Sequence, residues 1–222
     1  MNPIKISISE ELKQRAPGMV LGVIQCRVAN TPKNKELWQE IEKVTLEVRK
    51  QLTFEAIKDQ PQIAATRKVY AACGKEPSRY RPSAEALMRR IVKGQDLYQI
   101  NTLVDLINLV SLKTGFSIGG FDADCIEGVV EASIGRENEP YEGIGKGTLN
   151  IHNLPVLRDQ HGAFGTPTSD EVRTAIRLET THLLMNINGY NGLTAVEEAM
   201  NYTVWLLKNI AGAEDIATSI ID

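Results

Sequence analysis

The sequence predicts an α+β domain of packed sheet and helix layers. Two observations carry that expectation. Apolar residues recur at helical spacing in four separate stretches of the chain. Short runs of strand type, rich in Val, Ile and Leu, cluster in the second half and are joined by one more near the start. Strands gathered together with helices outside them form layers around a shared core.

The elements follow in order. Residues 5–8 alternate polar and apolar and predict a short strand. Ser9 opens a short helix that stops near Pro17 and Gly18, and residues 19–28 predict a buried strand. Leu37, Ile41, Val44 and Val48 make 33–52 an amphipathic helix, and 57–72 predicts another. Ser83 is the expected cap of a helix carrying Leu87, Met88, Ile91 and Val92 on one face and ending at Gly94. Asn101 caps the next helix, which runs to Thr114 and stops at Gly115. That helix is apolar nearly all round and must be buried, yet Asn101, Asp105, Asn108 and Ser111 form one polar stripe. The stripe faces either a backbone that uses its hydrogen bonds or a polar pocket.

The second half reads mostly as strand, at 117–121, 128–134, 148–152, 155–157, 174–178 and 182–187. A loop is expected at 158–170, a turn at Asn188-Gly189, a helix over 193–210 and a closing strand in EDIATSIID. Gly143, Gly145 and Gly147 read as a hairpin loop, since no strand–helix frame surrounds them.

The 222 residues are 42% hydrophobic and 24% charged, an ordinary globular composition. The start lacks the apolar core of a signal peptide, no run spans a membrane, and the three cysteines stand alone, so a reduced, cytoplasmic setting is expected. The net charge of −3 divides into +7 for residues 1–114 and −10 for 115–222. The stretch 75–93 holds six basic residues against two acidic ones, either a polyanion patch or a solvated helix face. None of His152, His161 and His182 has a ligand-type partner at i+4, so no metal and no cofactor are expected. His161 differs from the other two by lying in a Gly-containing loop beside Gly162, where it is a candidate general base or an ordinary exposed histidine.

Two segments, RYRPSAEALMRRI at 79–91 and INTLVDLINLVSLKTGFSIGGFD at 100–122, resemble the editing domain of the bacterial phenylalanyl-tRNA synthetase beta subunit, above all its free-standing versions. The resemblance runs from about Met19 to the C-terminus. It implies one domain, with residues 1–18 as an N-terminal extension, and packed β layers with helices on one side. It implies a tRNA-binding protein that hydrolyses mischarged aminoacyl-tRNA in trans, with no synthetase activity, no DNA or membrane partner, and the aminoacylated 3′ end of tRNA as ligand. By position it implies a pocket of Asn108, Gly119, Gly120, Gly162, Gly165 and Asn186, with Asn108 and His161 in the catalytic roles. Arg79, Arg81, Arg89 and Arg90 are the expected tRNA contacts. Gly119 and Gly120 would form a backbone floor beneath the ligand. The family pattern has histidine where this chain has Gly119 and glutamate near Asn186. A non-catalytic aminoacyl-tRNA or amino-acid binding module is therefore the alternative.

Overall fold

A computed structural model describes residues 3–222. The strand β2 (Val20–Arg27) organises the fold because both of its faces are buried. Side chains alternate across a strand, and here the alternation sorts residues into two cores. Val20, Ile24 and Cys26 join one cluster, while Leu21 and Val23 join the other. The strand β9 (His182–Gly189) repeats this, with Leu183, Met185 and Ile187 on the first side and Leu184 on the second.

Beside these strands lie β3 (Ile118–Asp122) and β10 (Glu214–Ile221), giving a sheet of order β10-β2-β9-β3. A second sheet has the order β1-β4-β7-β8, from β1 (Ile6–Ile8), β4 (Val130–Ile134), β7 (Pro155–Asp159) and β8 (Gly162–Gly165). β1 runs parallel to β4, with Ile6 opposite Val130, and the other pairings in both sheets are antiparallel. The inter-sheet core includes Phe121, Leu157, Phe164 and Leu184. Phe121 and Phe164 meet edge to face at 4.9 Å, an arrangement the ring quadrupoles favour.

The core on the outer face of the first sheet is built mainly from four helices, α2 (Lys35–Gln51), α4 (Ser83–Val92), α5 (Thr102–Thr114) and α6 (Leu193–Ile210), and Ile63 of a fifth helix joins it. The α+β layering and the main helical layer agree with the sequence. Two helices depart from that one-sided picture. Leu12 of α1 (Glu10–Arg15) and Val69 of α3 (Pro61–Ala72) belong to the inter-sheet core. Residues 3–16 are likewise more than an appendage, since β1 lies in the second sheet and Gln25 exchanges two hydrogen bonds with the backbone of Ile4.

Local differences from the expected elements have identifiable causes. The helix expected over 57–72 is broken by Pro61, which cannot donate its backbone nitrogen and starts α3 afresh after a 3₁₀ turn at Ala56–Asp59. Pro82, not Ser83, stands at the cap position of α4. The stretch 174–178 is no strand, because Val172–Thr174 forms a 3₁₀ turn. Of 148–152 only Thr148 pairs, in a small hairpin of β5 (Glu142–Gly143) and β6 (Gly147–Thr148). The loop expected at 158–170 holds the turn between β7 and β8 and the whole of β8. Asn188 and Gly189 continue β9 instead of turning.

Candidate nucleic-acid interface

The four expected tRNA-contact arginines lie together. Arg79, Arg81, Arg89 and Arg90 line one open groove of about 690 Å³, with Lys93 from the end of α4 and Lys146 from the β5–β6 hairpin. Its lining includes Phe54, Tyr80 and Thr168 and contains no acidic residue. Six cations on a lining that itself carries no carboxylate make a strong anion site.

The fold presents two of these guanidiniums in a particular way. Arg89 donates through Nε to Glu85 Oε1 at 2.7 Å, and Arg90 donates through Nε to the Asp96 carbonyl at 2.6 Å. Their terminal nitrogens have no protein acceptor among the described residues, so each planar fork remains available for a bidentate anion. Arg89 lies over Phe54 at 4.2 Å and Arg90 over Tyr98 at 3.9 Å. Behind Arg89, the fully buried Glu85 carboxylate also accepts from Arg67 at 2.9 Å. Two cations on one buried anion leave a net positive group at the groove wall.

One wall of the groove is the segment 165–170. Ser83 at the start of α4 donates its N–H to the Pro167 carbonyl at 2.7 Å, Tyr70 pairs with Thr168 at 2.8 Å, and Lys146 Nζ donates to the Thr168 carbonyl at 2.9 Å. Thr168 lines the groove, whereas Gly165, Thr166 and Pro167 line a small cavity between the sheets. The segment is thus a partition between the two spaces. The cavity measures about 10 Å³, room for roughly one water molecule.

Three of the expected pocket residues meet beside this cavity. Asn186 and Gly165 line it, and Gly119 pairs with Asn186 across β3 and β9. A Cβ on Gly119 would stand 2.3 Å from Asn186 Oδ1, and one on Gly165 would stand 2.6 Å from the Phe121 ring. Asn186 donates to Asn188, which donates in turn to the Ser117 carbonyl. Gly120 faces the other way. A Cβ there would meet Ile107 Cδ1 at 2.2 Å, so this glycine lets α5 approach the sheet and its space is not a ligand floor.

Asn108, His161 and Gly162 do not join that group. Asn108 is half-buried on α5, lines neither space, and its side chain makes no hydrogen bond among the described residues. The polar stripe containing it is divided. Asn101 caps Val104, Asp105 accepts from Trp38 Nε1 and Ile100 N–H, and both thereby anchor neighbouring backbone or helix. His161 sits exposed in the turn between β7 and β8, with Nε2 3.2 Å from Glu127, and neighbouring Gly162 begins β8.

The sequence reading passed over Asp170. Its carboxylate accepts from the N–H of Gly120 at 3.3 Å on the unpaired edge of β3. Burial pushes its pKa from 3.8 up to about 7, against the opposing pull of that N–H and of Lys146. Lys146 is in turn held below the usual ammonium range by burial. A carboxyl poised near neutral pH at the partition, beside a cation of the groove, can take or give a proton.

The family model of the B3/4 domain matches residues 65–212, and the chain belongs to that family. An N-terminal fragment of the phenylalanyl-tRNA synthetase beta subunit from Pyrococcus horikoshii is similar in structure, at TM-score 0.49 and 13% identity. The similarity covers 100% of this chain and 51% of that one, so the chain spans about half the length of that fragment. No curated protein matches the sequence. Among the described residues no helix is long and apolar enough to cross a membrane.

Proposed function

We propose that this B3/4 domain binds the aminoacylated 3′ end of tRNA and hydrolyses mischarged aminoacyl-tRNA in trans. The observation that carries the reading is the partition 165–170, with the cationic groove on one side and Gly165, Asn186 and the inter-sheet cavity on the other. Phosphates would lie along Arg79, Arg81, Arg89 and Arg90. The ester would reach the partition, where the Asp170 carboxylate removes a proton from the attacking water, the groove cations stabilise the developing oxyanion, and the acyl–oxygen bond then breaks as that proton passes from Asp170 to the departing ribose oxygen. An ester is an activated substrate, so positioning and one base supply a useful rate. Asn108 and His161 are assigned no chemical step, because both lie outside the 165–170 partition, whose last residue is Asp170.

The size of the cavity favours a second reading, a non-catalytic binder of tRNA ends. About 10 Å³ does not admit an amino-acid side chain without movement of the partition. Deacylation of a panel of mischarged aminoacyl-tRNAs separates the two, with Asp170→Asn and the double variant Arg89→Ala/Arg90→Ala alongside. Hydrolysis of one species, lost in the Asn variant while tRNA binding persists, supports the hydrolase. Binding that depends on both arginines, with no hydrolysis by the parent protein, supports the binder. Absence of both refutes the tRNA reading.

A further inference from the structure

The groove contains a ring that its cations do not explain. Tyr80 lines the groove, and its hydroxyl makes no hydrogen bond among the described residues. Lys75 Nζ lies over the ring, 3.8 Å from its centroid. Lys75 is 7% exposed and is not part of the groove lining, so it covers Tyr80 from the protein side.

The lysine is fixed in place. Nζ donates to the carbonyl of His152 at 2.6 Å and to that of Asn150 at 2.8 Å. Its burial is expensive unless those partners and the ring compensate it. The arrangement holds the ring rigidly and withdraws electron density from it through the inner face, and the Arg79 guanidinium, 5.7 Å from the centroid, also lies over the ring. Arg79 and Arg81 flank the ring in sequence, and their guanidiniums make no hydrogen bond or ion pair to protein among the described residues.

We infer that Tyr80, backed by Lys75, is a stacking platform for an unpaired nucleobase, with Arg79 and Arg81 on the adjoining phosphates. A duplex cannot use it, because its bases are already stacked on one another. The inference deepens the tRNA reading and rests on it for the identity of the polyanion. The shared chemistry is that of a nucleotide with a free base, offered either by a single-stranded RNA end or by a free nucleoside triphosphate.

The test is equilibrium binding at fixed salt with four probes: a labelled single-stranded RNA tetranucleotide, the same strand made abasic, a duplex of matched charge, and ATP. Tyr80→Ala is expected to weaken the tetranucleotide about tenfold or more, the scale of one base–aromatic stack. Tyr80→Phe, which keeps the ring, stays within about twofold of the parent on the same argument. The abasic strand binds as weakly to the parent as the intact strand does to Tyr80→Ala, and Tyr80→Ala weakens it no further. That comparison uses unaltered protein in one arm, so it survives a variant that folds poorly. Tight ATP binding lost in Tyr80→Ala, with no strand preference, assigns the platform to a free nucleotide. Equal affinity for intact and abasic strands, without ATP binding, overturns the inference. It leaves the tRNA reading standing if folded tRNA still binds through Arg89 and Arg90. Loss of folded-tRNA binding as well refutes both.

Discussion

Replacing Asp170 by Asn removes a titrating group while keeping an acceptor for the Gly120 N–H. The structure sets both the size and the sign of the effect. The carboxyl titrates near 7 in the folded protein and near 3.8 when free of it. Between those values the folded chain holds a proton that the unfolded chain has released. Its contribution to stability is therefore complete below about pH 4 and declines as pH rises toward 7. Each pH unit is worth about 1.4 kcal/mol, which puts the ceiling near 4 kcal/mol. The residue is partly exposed, and solvent screening lowers the expectation to about 2–4 kcal/mol. Asp159 works in the opposite direction, because hydrogen bonds from backbone and Arg173 hold its carboxyl below the ordinary range. Asp105 is raised by burial. Both are present in either protein and cancel in the difference. Urea unfolding from pH 4 to pH 8 measures it. The stability of the parent minus that of Asp170→Asn is expected to fall by the stated amount between pH 4 and 7 and then level off. A difference independent of pH refutes the raised carboxyl and removes the proposed base with it.

Other perturbations test the scaffold and the groove. Glu85→Ala strands Arg67 and Arg89 at the groove wall and is expected to cost about 3 kcal/mol in urea unfolding. Gly120→Ala drives a methyl into Ile107 Cδ1, at a cost of about 1–3 kcal/mol, and adding Ile107→Val, which removes that Cδ1, recovers part of that loss in thermal melts. Gly135→Ala has no such rescue, since its Cβ would stand 2.1 Å from the Ile151 carbonyl oxygen, and little soluble folded protein is expected on expression. Arg90→Ala lowers the slope of log affinity for tRNA against log salt by about one, measured by filter binding.

Where structure follows from local pattern, the sequence was a good guide. Asn101 caps α5 through its side chain, and Gly115 ends that helix at φ +78°. Both roles depend on nearest neighbours in the chain. The basic stretch 75–93 also led to the groove, since it carries five of its six cations. The rest depends on contacts between distant residues. Lys146 joins the groove only because its hairpin folds against Thr168. Asp170 looks like any loop carboxylate until the edge of β3 is placed beside it. Glu85 is a carboxylate for which the sequence shows no partner, and only its two arginines explain its burial. Gly119 and Gly120 show the same limit. Adjacent glycines announce a close approach, but not that one faces Asn186 and the other Ile107.

The strand order also dictates when the molecule can assemble. β2 lies between β9 and β10, with Val20 opposite Gly189 and Leu21 opposite Ile221. An early strand therefore finds both its neighbours far later in the sequence. During synthesis α2 through α5 can collapse on one another, while β2 waits with two unpaired edges until β9 and β10 emerge. Closing such long loops slows folding. Until both partners are present the central strand stays exposed, the interval in which a chaperone or a second chain would meet it.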